Sequence, residues 1–317
     1  MKNVLKVINH AKKISEGVVI AALMITSCTS FATIANAATT LDTGKVMFDD
    51  FNYTSASDSK LQTNGWAIRS DNGGPGPDGC NFSNKNISFV NDSVDANNKI
   101  VRLTASTDGT AKGTSQAEIY TTSRKFFNGT YAARVRFTDA PVSGKDGAGI
   151  NETFFTISPL DSYRDSKYSE LDFEYLPNGG WGETSGMWNT SWHTFTEDPW
   201  YEDAAQVLTK KSYDGWHNLV VVVANGYNTY YIDGVQVAKN GPGNGQADYF
   251  LPRKNMTINF NLWFIAGDGE NPLVNSKYVQ DVDWVYHEKD TALTPDQVNA
   301  KVKDLRGQGI KFKDTVK

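Results

Sequence analysis

Between Leu41 and Tyr286 the chain carries no long apolar stripe of helical period. It breaks instead into short β-branched and aromatic runs separated by turn residues. That pattern leaves no place for a helical layer or for βαβ alternation, and it predicts an all-β fold. Val101-Arg102-Leu103-Thr104, Tyr131 to Phe137, Leu219 to Val223 and Met256 to Leu262 are the clearest strands. Tyr230-Tyr231-Ile232-Asp233-Gly234-Val235-Gln236-Val237 predicts a hairpin, because Asp-Gly suits the positive φ angles of a tight turn. Only near the end do Thr294-Pro295, then Val298, Val302 and Leu305, then Gly307, predict a capped short helix packed on the outside. Asn72 to Cys80 and Asn240 to Gly245 read as loops, the first as a candidate cleft rim.

The N-terminus reads as an address. Lys2, Lys6, Lys12 and Lys13 precede an apolar run, Val18 to Ile25, and Ala35-Asn36-Ala37 offers the small-x-small pattern of a cleavage site. Residues 1–37 are therefore expected to be a signal peptide, and the protein to be secreted. Thr26 to Ser30 interrupt the apolar run well short of the ~20 residues that would span a membrane. The alternative is lipid anchoring at Cys28, since Ile25-Thr26-Ser27-Cys28 is similar to a lipobox.

Removing residues 1–37 takes away four Lys and Glu16, which turns 31 basic and 36 acidic groups into 27 and 35. An acidic surface without a Lys/Arg block gives nucleic acid no positive face to bind. Cys80 is then the one remaining cysteine, so no internal disulfide is expected and burial must stabilise the core. Residues 38–317 are read as a single domain with its core at about 46–287 and a C-terminal extension at 288–317, as all-β units reach this size.

The chemistry sits in Tyr168-Ser169-Glu170-Leu171-Asp172-Phe173-Glu174-Tyr175-Leu176. Side chains on a strand switch faces at every residue, so Glu170, Asp172 and Glu174 share one face while Leu171 and Phe173 enter the other. Three like charges in a row weaken a compact state unless water, a cation or a substrate separates them. A solvated acidic face fits poorly among apolar and aromatic neighbours. A hard-cation site usually gathers its ligands from a tight loop. The remaining reading is two carboxyl groups across a sugar bond, ~5 to 5.5 Å apart in a retaining glycosidase. At that separation and an effective dielectric near 20, a charged pair repels by about 3 kcal/mol, enough to keep one acid protonated near neutral pH. Trp181, Trp188, Trp192 and Trp200, with His193, follow the motif and would supply aromatic faces for sugar rings.

Glu-x-Asp-x-Glu on a strand resembles the motif of glycoside hydrolase family 16, the family of lichenases and laminarinases. The resemblance extends through Gly129 to Val135, Trp216-His217-Asn218, Tyr230 to Gly234, Asn261-Leu262-Trp263 and Val282-Asp283-Trp284-Val285. It implies a two-sheet antiparallel jelly-roll sandwich of the concanavalin-like type. It implies Glu170 as nucleophile, Glu174 as acid/base and Asp172 as the group tuning both. It further implies sugar contacts at Tyr168, Asn261, Trp263 and Glu118, and a structural calcium with Asp283 among its ligands. Family members carry half of a disulfide near Cys80, but Lys112 to Glu118 hold no cysteine to complete it. The expected function is retaining endo-hydrolysis of a β-1,3- or β-1,3-1,4-glucan by a monomer that needs no cofactor for catalysis. A lectin-like binding module and a transglycosylase using the same acids are the alternatives.

Overall fold

The short runs pair into antiparallel ladders. The computed structural model describes residues 45–93, 95–265 and 272–317. The export signal read in residues 1–37 and the anchoring alternative at Cys28 lie outside the described residues. In chain order the strands are β1 (Val46–Asp49), β2 (Trp66–Ile68), β3 (Asn81–Phe82), β4 (Ile87–Asn91), β5 (Lys99–Thr107) and β6 (Ser115–Thr121). Next come β7 (Gly129–Phe137), β8 (Ser143–Gly144), β9 (Ile150–Ile157), β10 (Glu170–Leu176), β11 (Gly186–Glu197) and β12 (Trp200–Thr209). The last are β13 (Gly215–Ala224), β14 (Tyr227–Ile232), β15 (Val235–Asn240), β16 (Thr257–Phe264), β17 (Ser276–Lys289) and β18 (Phe312–Asp314).

Two sheets face each other. One runs β2-β6-β16-β9-β10-β11-β12, antiparallel throughout. The other runs β4-β5-β17-β7-β13-β14-β15, with β1 beside the second half of β17 and β18 beside β1. The architecture is the all-β jelly-roll sandwich that the sequence predicts. Its Asp233-Gly234 turn joins β14 to β15 with φ of 51° and 81°, as a tight hairpin turn requires. One short helix was not foreseen: α1 (Ser59–Thr63), capped by Asp58 and packed through Leu61.

The core between the sheets contains a ladder of three phenylalanines. Phe260 of β16, Phe154 of β9 and Phe173 of β10 lie directly opposite one another in register. Their rings stack at centroid distances of 5.1 and 5.9 Å. Tyr230 of the other sheet meets Phe173 edge-on at 5.3 Å. Because a one-residue slip would turn every side chain of β10 to the opposite face, this ladder locks the acids away from the core.

The predicted C-terminal helix is α2 (Pro295–Gly307), entered through a capping box in which Thr294 and Gln297 satisfy each other's backbone. Val298 and Val302 bury against Phe48, Ala132, Val220, Trp284 and Tyr286 on the outer face of the second sheet. The helix also delivers Arg306, whose Nη2 donates to Asp283 Oδ1 at 2.6 Å and whose Nε donates to Asp50 Oδ1 at 2.6 Å. Both aspartates are buried. Burial pushes the Asp283 carboxyl up, but the hydrogen bonds and charge of Arg306, with Asn98 and Arg134, overcome it and hold the group below its ordinary value. Its contribution to stability is therefore complete above the ordinary carboxylate pKa of about 4 and is lost as pH falls below it. Arg306→Met leaves two buried carboxylates short of a partner and is expected to cost about 3 to 5 kcal/mol, read as a lowered midpoint in urea unfolding. An unchanged midpoint would remove this pairing from the account of stability.

Candidate active site

Strand β10 lies in the middle of its sheet, between β9 and β11. Its alternation places Leu171 and Phe173 in the core and Glu170, Asp172 and Glu174 on the opposite face. Glu170 and Glu174 stay partly open to solvent, whereas Asp172 is buried. Each acid receives a hydrogen bond from a different neighbour. The Tyr168 hydroxyl donates to Glu170 Oε2 from the segment entering the strand. The Trp192 indole Nε1 donates to Asp172 Oδ2 at 2.7 Å from β11. Asn151 Nδ2 donates to Glu174 Oε1 at 2.8 Å from β9.

The three environments differ in consequence. Burial pushes Glu174 up to about 7, opposed by the Asn151 hydrogen bond. Burial also raises Asp172, and the charges of Glu170 and Glu174 raise it further. Burial pushes Glu170 up to about 8 as well, opposed by the Tyr168 hydroxyl and reinforced by the charge of Glu174. Three carboxyl groups raised together on one face cannot all ionise near neutral pH, so charged and protonated acids coexist along the row. That is the division of labour needed for nucleophilic attack together with protonation of a leaving group.

Aromatic and amide side chains surround the row. Trp192 stands opposite Glu170 and Trp188 opposite Glu174, both half-buried. On the other side Phe155 lies opposite Asp172, with Asn259, Asn261 and Trp263 beyond it on β16. Trp181, 44% exposed, leans on Trp263 at 6.2 Å. Glu118 of β6 stands opposite Asn261 and accepts from Arg69 at 3.1 Å. Arg69 also donates to the carbonyl of Gly74, which ties the Asn72 to Cys80 loop to this end of the face.

Several expectations are corrected. Tyr168 offers no stacking face: it is buried, its ring meets Phe195 edge-on at 5.3 Å, and its hydroxyl is spent on Glu170. Asn261, 3% exposed, belongs to the floor and is not an open contact. His193 is the extra residue of a β-bulge between Trp192 and Thr194. Its ring is held by Asp203 at 2.7 Å and Tyr249 at 4.3 Å, neither of which belongs to the acid row. Trp200 sits at the end of the β11–β12 hairpin, 63% exposed, in contact with Phe195.

The residues at Asp283 do not fit calcium. Asn98 donates to Oδ1 at 2.7 Å, Arg134 to Oδ2 at 3.0 Å, and Arg306 to both oxygens. Two guanidinium groups already supply the positive charge there, and a divalent cation would be repelled by them. Among the described residues Cys80 is a free, buried thiol.

Asn151, Phe155 and Arg69 were missed in the sequence. The alternation of Ile150 to Ile157 carried a signal for the first two, with Asn151, Thr153 and Phe155 on one face. Nothing local marked Arg69, whose partners come from the loop and from β6.

The family model for glycosyl hydrolases family 16 matches residues 81–286. No curated protein sequence matches the chain. Among solved structures, a Bacillus licheniformis beta-glucanase superposes with a TM-score of 0.54 at 18% identity, over 78% of this chain and 99% of that one. A prokaryotic beta-1,3-1,4-glucanase from a mouse hindgut metagenome gives 0.53 at 20%, over 77% and 99%. An immunostimulatory antigen and pseudo beta-1,3-glucanase of Mycobacterium tuberculosis gives 0.55 at 18%, over 78% and 99%. At these identities the likeness is one of fold.

Tyr168→Phe keeps the buried ring and removes only the hydroxyl. Loss of a donor to the charged form raises the Glu170 titration midpoint, measured by carboxyl 13C NMR. A midpoint that does not move would show that the hydroxyl leaves Glu170 unaffected.

Proposed function

The chain belongs to glycosyl hydrolases family 16, and from that premise we propose that it is a secreted, retaining endo-hydrolase of a β-1,3- or β-1,3-1,4-glucan. The observation that carries this reading is the row Glu170, Asp172 and Glu174 on one face of β10, each acid with its own donor. A protein that only holds sugars has no use for three crowded carboxyl groups whose burial opposes ionisation. The fold likeness to two beta-glucanases supports the substrate class.

In this reading a glucan chain lies over the β10 face, its rings against the half-buried Trp188 and Trp192 and the exposed Trp181. Glu174 gives its proton to the glycosidic oxygen as that bond breaks. Charged Glu170 attacks the anomeric carbon and forms a glycosyl-enzyme. Glu174, now charged, takes a proton from water, which displaces Glu170 and restores the starting state with net retention. Asp172 donates a hydrogen bond that steadies Glu170 as its charge is consumed and returned.

Glu170→Gln should lose at least about a thousandfold in the release of reducing ends from barley β-glucan or laminarin, with the fold intact by circular dichroism. Full activity in that variant would rule out its role. Because Glu174 must carry its proton, kcat/KM should decline as pH rises through about 7, where burial places that group. Binding of both glucans without any cleavage by the wild type would favour a lectin-like module, a reading given a concrete precedent of fold by the mycobacterial pseudo beta-1,3-glucanase. Transfer products in place of hydrolysis would identify a transglycosylase.

A further inference from the structure

Asn151 is fully buried on β9, and its amide nitrogen donates to Glu174 Oε1 at 2.8 Å. Its amide oxygen, also buried, has no hydrogen-bond partner. A sealed, unsatisfied acceptor is costly, and one attached to a donor that reaches a carboxyl of the row calls for an explanation. An asparagine amide is a donor on one side and an acceptor on the other, separated by half a turn about χ2. We propose that Asn151 is the positioning residue of the acid/base: its amide donates to Glu174 when that carboxyl is charged and turns to accept from it when it carries a proton.

This rests on the assignment of Glu174 made above and deepens it. A general acid must change protonation state twice in each turnover, and a fixed donor would favour only the charged form. The amide serves both states. One proton leaves Glu174 for the departing sugar oxygen and one returns from water, while the two amide N–H protons stay on nitrogen throughout. Only the orientation of the amide changes.

The surroundings leave this role to Asn151. Among the described residues, the charged groups facing Glu174 are Glu170 and Asp172 on its own strand. From β9 the same face presents Asn151, Thr153 and Phe155, and from β11 it presents Trp188, Thr190 and Trp192, all uncharged. Beyond β9, the β16 positions are Asn259, Asn261 and Trp263, and Glu118 of β6 is paired with Arg69. Glu152 of β9 is turned away and takes its hydrogen bonds from Thr138. The hydrogen bond to Glu174 thus comes from Asn151, and burial is what it opposes.

Asn151→Leu removes donor and acceptor at similar volume. The alkaline limb of kcat/KM on barley β-glucan should move up by roughly one pH unit, because the hydrogen bond lost by the charged form of Glu174 is the stronger of the two lost. The Glu174 titration, read by carboxyl 13C NMR and assigned through Glu174→Gln, should rise by the same amount without any substrate present. In the wild-type protein the Asn151 side-chain amide resonance should titrate with the Glu174 midpoint, a readout that needs no variant to fold. A shifted Glu174 midpoint with no cleavage of any glucan would uphold Asn151 and overturn the hydrolase reading. Cleavage with an unmoved alkaline limb and midpoint, or an amide resonance indifferent to pH, would overturn the role of Asn151.

Discussion

The stack of Phe260, Phe154 and Phe173 is the contact on which the rest of the molecule's chemistry depends. Three rings from three adjacent strands, opposite one another and closed from the other sheet by Tyr230, fix which residues of β10 face inward. Everything on the opposite face follows from that choice, since a strand has only two sides. The acids are therefore held by hydrophobic burial on the far side of the sheet as much as by their own hydrogen bonds. The crowding of like charges, unfavourable by itself, persists because the alternative register would turn Leu171, Phe173 and Tyr175 out of the core and bury three carboxyl groups there.

Local patterns were legible in the sequence where local rules decide the structure. The alternation of Glu170 to Leu176, the Asp233-Gly234 turn and the Thr294 cap each depend on neighbours within a few positions, and each forms as read. The site beyond β10 depends on pairing between distant segments. Asn151 reaches Glu174 because β9 lies beside β10, and Trp192 reaches Asp172 because the β10–β11 register sets it there. Tyr168 shows the limit of reading by position alone. Two residues before Glu170 it shares the parity of the acids, yet the segment ahead of the strand tucks its ring beneath Phe195. Asp283 shows another limit. Its partner Arg306 sits on a helix of the opposite terminus from Asp50, and no spacing within β17 announces a guanidinium.

The three acids are chemically alike in sequence and unlike in surroundings. A phenol, an indole and an amide approach them from three directions, and the amide alone offers its donor and its acceptor on two separate atoms. Identical strand geometry thus places three carboxyl groups in three different hydrogen-bonding environments. The distinction lies in the neighbouring elements, which is why a row of carboxylates by itself says little about how labour is divided among them.

The segment from α2 to β18 closes on β1 and Asp50. β18 pairs with β1, Lys311 accepts from the Asp50 amide through its carbonyl, and Arg306 joins Asp50 to Asp283. Synthesis lays down Asp50 early and Arg306 more than two hundred residues later. A nascent polypeptide consequently carries Asp50 without this counter-ion until the segment holding Arg306 has emerged from the ribosome, so this part of the native state forms only after that segment is made.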